Sequence, residues 1–483
     1  MPTKAVMVLG TTSAAGKSWL ATGLCRWYAR LGLRVAPFKA QNMSNNARVV
    51  PAPDGRLGEI GSAQYFQALA ARTMPDVRMN PILLKPERDT SSQVVVWGRV
   101  REDYARIPWR ERSELLWPHA REALHSLMAE NDVLVIEGAG SPAEINLRSS
   151  DYTNMRTARE AGARCLLVTD IDRGGAFAHL FGTYELLAPS ERVLLRGFVL
   201  NRFRGDVGLL APGPTELHSL TGISTLAVLP MWQGHGLPEE DGVFDDVPTG
   251  GPEGLRVAIV AYPRISNLDE FQPLRNVKAV RLIWARHPGD LAEVDWIILP
   301  GSKHTTGDLA WIRARGLAAA ISRHAGAGRP LLAICGGLQM LGESLSDPDG
   351  VEGDARGLGL LPLATRFSRD KLVRTSEACF TGTSGPWSSL TGVRFRGYEI
   401  RHGRTTAATA GGQASLYNEL GESVGWQKGP VLGLYVHGLF ESSAALQALF
   451  GASASTLDST FVGLADFIDR HFEPGALRGL IAP

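Results

Sequence analysis

The chain carries 483 residues, too many for a single hydrophobic core, so two or three domains with a large apolar interior are expected. Lys+Arg 50 against Asp+Glu 49 leaves a net charge of +1, which supplies no field for nucleic acid or an anionic membrane; small molecules are the expected partners. Four cysteines, Cys25, Cys165, Cys335 and Cys379, stand far apart with no CxxC, which argues against a disulfide framework or a zinc cluster and suits a reducing, cytoplasmic setting.

The first apolar run, AVMVL (5–9), has strand length, no basic leader region and no cleavage site, so neither export nor membrane insertion is expected. To about residue 230, short β-branched runs alternate with longer amphipathic ones, the pattern of helices packed on a parallel sheet. Strands are expected at AVMVL, RVAPF (34–38), QVVVW (93–97), DVLVIE (132–137), CLLVTD (165–170), LLRGFVLN (194–201) and LAVLP (226–230), and helices at 17–30, 61–72, 118–129 and 175–187. A stretch rich in Gly, Pro and acid, 233–253, reads as a linker. It separates a first domain, 1–232, from a second α/β domain, 254–446. The second has strands at 255–262, 277–283, 295–301, 330–337, 422–427 and 431–438. Residues 353–412 read as scattered short strands and turns that the sequence does not order. A tail, 447–483, has a helical stretch at 461–472 and is expected to pack on one of the domains.

The first strand runs into Gly10-Thr11-Thr-Ser-Ala-Ala-Gly16-Lys17-Ser18, a G-x5-G-K-S loop with one residue more than the common spacing. In such a loop, backbone N–H groups and the helix start converge on phosphate oxygens, Lys17 adds a point charge and Ser18 can ligate Mg²⁺. The longer spacing resembles the dethiobiotin synthetase type of P-loop, in which ATP phosphorylates a carboxylate or carbamate. Other positions resemble that type as well: Lys39 as a neutraliser of the transferring phosphoryl group or substrate carboxylate, Glu137 as a Mg²⁺-binding acid, and Asn201 as an adenine contact. The plain alternative for each acid or amide is a helix cap or a turn. Asp170 and Asp172 end another strand on the same edge; Mg²⁺ binding, substrate positioning and, for Asp172, an N-cap all remain open.

Far downstream, LLAI runs into Cys335-Gly336-Gly337. A cysteine with small neighbours at a strand-to-helix turn is exposed at a helix N-terminus, where the dipole favours thiolate. The Gly336 amide then faces a developing oxyanion, and Gly301 is the candidate second donor. His437, closing YVH, is the candidate base for acyl transfer from a glutamine amide. Triad-type amidotransferases usually carry Glu two residues after this His. Here that residue is Leu439, with Glu441 four away, so a dyad or an orienting group from elsewhere is implied. His304, His324 and His402 read as surface residues, and Cys25, Cys165 and Cys379 as structural cysteines.

Across nearly its full length the chain resembles the cobyric acid synthase family of cobalamin-pathway amidotransferases. The segments that carry this are PFKAQNMSNNA, MNPILLKPERDTSSQVVVWG, EGAGSPAEINL, DIDRGGAFA, LNRFRGD, LPEED, LPGSKHTTGDL, ICGGLQMLG, GYEIRHG and YVHGLF. The resemblance implies a dethiobiotin-synthetase-like P-loop sheet domain followed by a triad-type glutamine amidotransferase α/β domain. It also implies ATP- and glutamine-dependent amidation of the b, d, e and g carboxylates of adenosylcobyrinate a,c-diamide, with Mg²⁺ and no tightly bound prosthetic group. The polar loop 41–46, with Asn42 and Asn45, is the expected corrinoid contact, its alternative being a turn. Cobyrinic acid a,c-diamide synthase, a MinD/ParA-like ATPase and a cell-wall amidase are the competing readings. The oligomeric state is left open.

Overall fold

The computed structural model describes residues 3–88, 91–232, 234–237, 254–408, 412–452 and 457–482. Of the expected linker, 233 and 238–253 lie outside the described residues, as does all of LPEED beyond Leu237.

In the first half, six strands pair in parallel in the order Thr225–Pro230, Leu195–Phe203, Arg164–Asp170, Lys4–Gly10, Val133–Glu137, Val35–Phe38. Their near-continuous Val, Leu and Ile runs are buried on both faces, as helices on either side of a parallel sheet require. Because the strands are parallel, Gly10, Phe38, Glu137, Asp170 and Asn201 all emerge toward one edge, the place where open α/β sheets bind ligands. QVVVW does not join this sheet. It pairs antiparallel with Ile82–Arg88 in a separate four-stranded sheet, since its β-branched run fits either setting. The helix expected at 118–129 runs from Trp109 to Glu130 with Pro118 inside it. The buried stripe Leu116, Trp117, Ala120, Ala123, Leu124, Leu127 continues across the proline, and this packing offsets the lost hydrogen bond.

The second half centres on parallel strands Val280–Ala285, Leu255–Val260, Trp296–Leu299, Leu331–Ile334 and Val431–Leu434. The sheet continues antiparallel through Ser423–Lys428 and Gln413–Asn418 to Leu363–Phe380. The region expected to hold scattered short strands is instead dominated by one long hairpin, Leu363–Phe380 against Arg394–Ala407, with an irregularity between Phe367 and Leu372. Its buried charges hid the pattern. Lys371 pairs with Glu59 of the first half, which also bonds Lys85 at 2.8 Å, so the hairpin's polar face is an internal joint.

The tail divides. Ser443–Phe450 packs on the second core, whereas Leu457–His471 lays Phe461, Leu464, Ala465 and Ile468 on the helix Lys17–Arg30. Each such buried Phe, Leu or Ile contributes about 1.5–3 kcal/mol. Arg26–Asp458 at 2.6 Å and Trp27 Nε1 donating to Asp469 at 2.7 Å fix the register, so the phosphate-loop helix is held from behind by the C-terminus.

Candidate active site

At the strand edge of the first half, the loop Gly10–Ser18 wraps toward the helix that begins at Lys17. Gly16 has φ 99°, a left-handed conformation, and a Cβ there would collide with the Asn201 amide, so only glycine suits the position. A Cβ on Gly10 would lie 2.9 Å from Lys17 Nζ. Asn201 donates to Ala15 O at 2.9 Å and braces the loop, while Thr11 Oγ1 donates to Thr169 Oγ1 at 2.9 Å. Lys17 Nζ donates to Thr12 O (3.0 Å) and Gly140 O (3.2 Å), curling over the cradle.

Beneath it sits Glu137, 1% exposed, whose Oε1 accepts from Ser18 Oγ and Lys39 Nζ, both at 2.8 Å, and whose Oε2 accepts from Gln67 Nε2 at 2.6 Å. Burial alone would push this carboxyl up; the Lys39 ammonium, with the Gln67 and Ser18 donors, outweighs it and holds the group below the ordinary carboxylate range. Ser18, Lys39, Gln67 and Glu137 are therefore one cluster, with Lys17 on the loop carbonyls beside it. Ser18 and Glu137 present a hydroxyl and a carboxylate oxygen to the cradle, a donor pair of the kind Mg²⁺ takes alongside phosphate oxygens. Among the described residues, no group of three or more His, Cys, Asp or Glu could hold a metal unaided. Asp170 bonds Arg202 at 3.0 Å and accepts from the Asp172 amide at 3.0 Å, and Asp172 pairs with Arg204. The repulsion between these two acids is relieved by arginines.

Asn42 is buried, and its amide donates to Gln64 Oε1 at 3.1 Å, next to Glu137. Asn45 Oδ1 is buried without a hydrogen-bond partner. The segment expected as a polar loop is a loop only at 44–46: Gln41–Met43 pairs in parallel with Ile82–Arg88 as an edge of the four-stranded sheet, so Asn42 is held on a strand and the chain then turns toward the second half.

In the second half, Cys335 sits at the end of Leu331–Ile334 with φ 51° and ψ −106°, a strained conformation for a residue with a Cβ and the signature of a nucleophile turn. Its neighbours must be small: a Cβ on Gly336 would lie 2.8 Å from Ser302 N and Cβ, and one on Gly337 would run into Leu299 O. Gly301 lies against His437, where a Cβ would come within 2.9 Å of the imidazole Cε1. His437, wholly buried, lies near enough to Cys335 for the thiol to bear on its ionisation and places Nδ1 3.0 Å from Glu270 Oε1, while Cys335 Sγ itself donates to Ile400 O at 3.8 Å. Burial would lower this imidazole's pKa, but Glu270 and Cys335 raise it to about 10. A histidine so poised can take the thiol proton and hold it for a leaving amine.

Glu270 is the orienting group that the sequence left unassigned. It is fully buried in the turn Leu268–Phe271, and its second oxygen accepts from the Gly438 amide at 3.2 Å. Glu441 does not reach His437; it pairs with Arg48 at 2.6 Å, and Leu439 is packed in the core. The only sequence trace of Glu270 was the missing acid at Leu439. Gln339 also escaped notice: buried one turn past Cys335, it accepts from Thr305 Oγ1 at 3.1 Å. Of the histidines expected at the surface, His324 is buried and contacts Pro330 O at 3.0 Å, capping an internal strand start, and His402 is partly buried with Nδ1 3.0 Å from Ser368 O. Burial raises the thiol pKa of Cys25 far above its ordinary value and that of Cys165 to about 12, so both are inert packing groups.

A phosphate-cradling parallel sheet joined to a Cys–His–Glu centre defines the class: a glutamine-dependent amidoligase. Residues 6–235 match the CobQ/CobB/MinD/ParA nucleotide binding domain and residues 256–445 the CobB/CobQ-like glutamine amidotransferase domain. Similar proteins include the cobyric acid synthases of Methylibium petroleiphilum (68% identical, 100% of this chain and 97% of that one), Leptothrix cholodnii (65%, 100% and 98%) and Variovorax paradoxus (65%, 100% and 100%). The chain belongs to the cobyric acid synthase family. No helix among the described residues is long and apolar enough to cross a membrane.

Proposed function

We propose that this enzyme uses Mg-ATP and glutamine to amidate the b, d, e and g carboxylates of adenosylcobyrinate a,c-diamide, yielding adenosylcobyric acid in cytoplasmic cobalamin biosynthesis. The synthetase part is 1–232, the linker 233–253, the glutaminase part 254–446 and the tail 447–483. The observation that carries this reading is the buried Cys335–His437–Glu270 relay on the same chain as the Lys17–Ser18–Glu137–Lys39 phosphate edge.

At the thiol centre, Cys335 sulfur attacks the glutamine amide carbon, the Gly336 and Gly301 amides face the oxyanion, and His437 passes its proton to departing ammonia. Water then hydrolyses the thioester to glutamate. At the phosphate edge, a corrinoid carboxylate oxygen attacks the γ-phosphorus of ATP, and ADP leaves. Lys17 and Lys39 offset the charge of the transferring group, while Gly10, Thr11, Gly16 and Asn201 shape the cradle. Ser18 and Glu137 would hold Mg²⁺, whose charge assists phosphate binding. Ammonia attacks the acyl phosphate carbon and phosphate departs. Asn42, Asn45, Asp170 and Asp172 are the candidate positioning groups for the corrinoid. Incubation with Mg-ATP, glutamine and the a,c-diamide, followed by mass spectrometry, should give a product with four new amides. Amidation only at a and c of an unamidated corrinoid would favour the diamide synthase instead.

A further inference from the structure

A buried side chain of the synthetase half reaches into the glutaminase centre. Arg48, on the strand Ala47–Pro51 of the first half, is 2% exposed and extends into the second. Its Nε donates to Asp269 Oδ2 at 3.0 Å and its Nη1 meets Glu441 Oε1 at 2.6 Å. Asp269 directly precedes Glu270 in the turn that carries the acid of the relay, and Glu441 ends the turn that follows His437 and Gly438. The guanidinium carbon also lies 5.0 Å from the centroid of the Tyr398 ring, which stacks on the His437 imidazole at 5.3 Å and 17°. One cation from the other domain thus ties together the acid-bearing turn, the histidine-bearing turn and the ring against the imidazole.

Neighbouring contacts reinforce the same joint. Asn46 Oδ1 accepts from the Leu268 amide at 2.8 Å, and the Ala47 amide donates to Asn267 Oδ1 at 3.0 Å. Asn267, in the left-handed region at φ 56°, holds its Nδ2 3.2 Å from His437 Nε2. The relay is therefore framed by three consecutive residues, Asn46 to Arg48, that continue the polar segment at the phosphate edge. A truncated Arg48 would leave the Asp269 carboxylate buried without its countercharge, since its other oxygen already lacks a partner.

We propose that Arg48 is a positioning residue for glutamine hydrolysis, supplied by the synthetase domain, so that the nitrogen-releasing centre is complete only when the two domains are joined. This rests on the glutaminase reading above. Arg48 fixes the spacing of Glu270 and His437 through their turns and touches neither Cys335 nor its glycine neighbours. Its loss should therefore depress turnover and leave glutamine affinity unchanged.

The test uses full-length Arg48→Met and Arg48→Lys enzymes, each assayed for corrinoid amidation with glutamine and with ammonia. For Arg48→Met, kcat with glutamine should fall about 10²-fold, the scale set by a misplaced catalytic group. The KM for glutamine and the ammonia-dependent rate should remain at wild-type values, and Arg48→Lys should recover part of the lost kcat. Unchanged kcat in Arg48→Met, parallel loss of both nitrogen sources, or an Arg48→Lys enzyme no better than Arg48→Met would overturn the proposal. If the wild-type protein amidated nothing with either source, the functional reading itself would fail instead.

Discussion

The two reactive centres are held in place by opposite means. At the phosphate edge, side chains hold one another: Lys17 lies on loop carbonyls, and Lys39 and Ser18 share one oxygen of Glu137. Every one of these bonds is of a kind that an incoming phosphate or cation can exchange for its own. At the thiol centre the backbone carries the strain, in the positive φ of Cys335, and the His437–Glu270 pair is sealed from solvent. The first site is prepared to be rearranged by its ligand, whereas the second is fixed before glutamine arrives. That contrast suits the tasks of the proposed reaction: a nucleotide would enter and leave with each amidation, while a nucleophile works best when its geometry costs no reorganisation.

Substitutions separate the two. Cys335→Ala should abolish glutamine-dependent amidation by roughly 10⁴–10⁶-fold, the scale of losing a nucleophile, while ammonia-dependent amidation persists. Loss of both would show that the centres are not independent, which steady-state assays with each nitrogen source measure directly. Glu270→Gln should lower glutamine hydrolysis by about 10²–10⁴-fold, as for the carboxylate of other relays. The sign of its pH effect is fixed as well. The Glu270 carboxylate, together with Cys335, raises the His437 pKa to about 10, so a neutral glutamine in place of Glu270 lowers it, and the alkaline limb of the pH–rate profile should move to lower pH. An unmoved limb would remove Glu270 from the relay.

Lys17→Met should reduce amidation with either nitrogen source by roughly 10²–10³-fold, the scale of one lost electrostatic stabiliser, and leave glutamine hydrolysis in place. Equal loss of hydrolysis would contradict the separation. The smallest effect is on stability alone. Glu59→Gln strips the carboxylate shared by the buried Lys85 and Lys371 at the joint of the two halves; burial already pushes Lys371 down to about 7, so it sheds its proton, and the unpaired Lys85 should cost about 3–5 kcal/mol in denaturant unfolding. A change below about 1 kcal/mol would mean that this joint does not hold the halves together.

What could be read beforehand divides along the same line. The phosphate edge was legible because a contiguous loop declares itself and because parallel strands deliver their final residues to one edge. Lys39, Glu137 and Asn201, each named from a strand end, therefore meet beside the loop. The Cys335 turn was legible for a similar local reason. Glu270 was not, since it lies 167 residues from His437 in a short turn with no periodicity, and only tertiary packing brings the two together. Arg48 was hidden likewise, as an isolated arginine gives no hint that Asp269 and Glu441 await it. The long hairpin is hidden because Ser368 to Lys371 break the alternation that marks a half-buried strand; the Lys371 side chain is buried by its pair with Glu59 of the other half and not by a local apolar face.

The most direct test of the division of labour supplies amide-labelled ¹⁵N-glutamine, Mg-ATP and the a,c-diamide together with excess unlabelled ammonium, and reads the isotope in the product by mass spectrometry. The account predicts that the new amides carry ¹⁵N far above its share of total ammonia, and that Cys335→Ala product carries none. New amides labelled only in proportion to bulk ammonium, or label retained without Cys335, would contradict it.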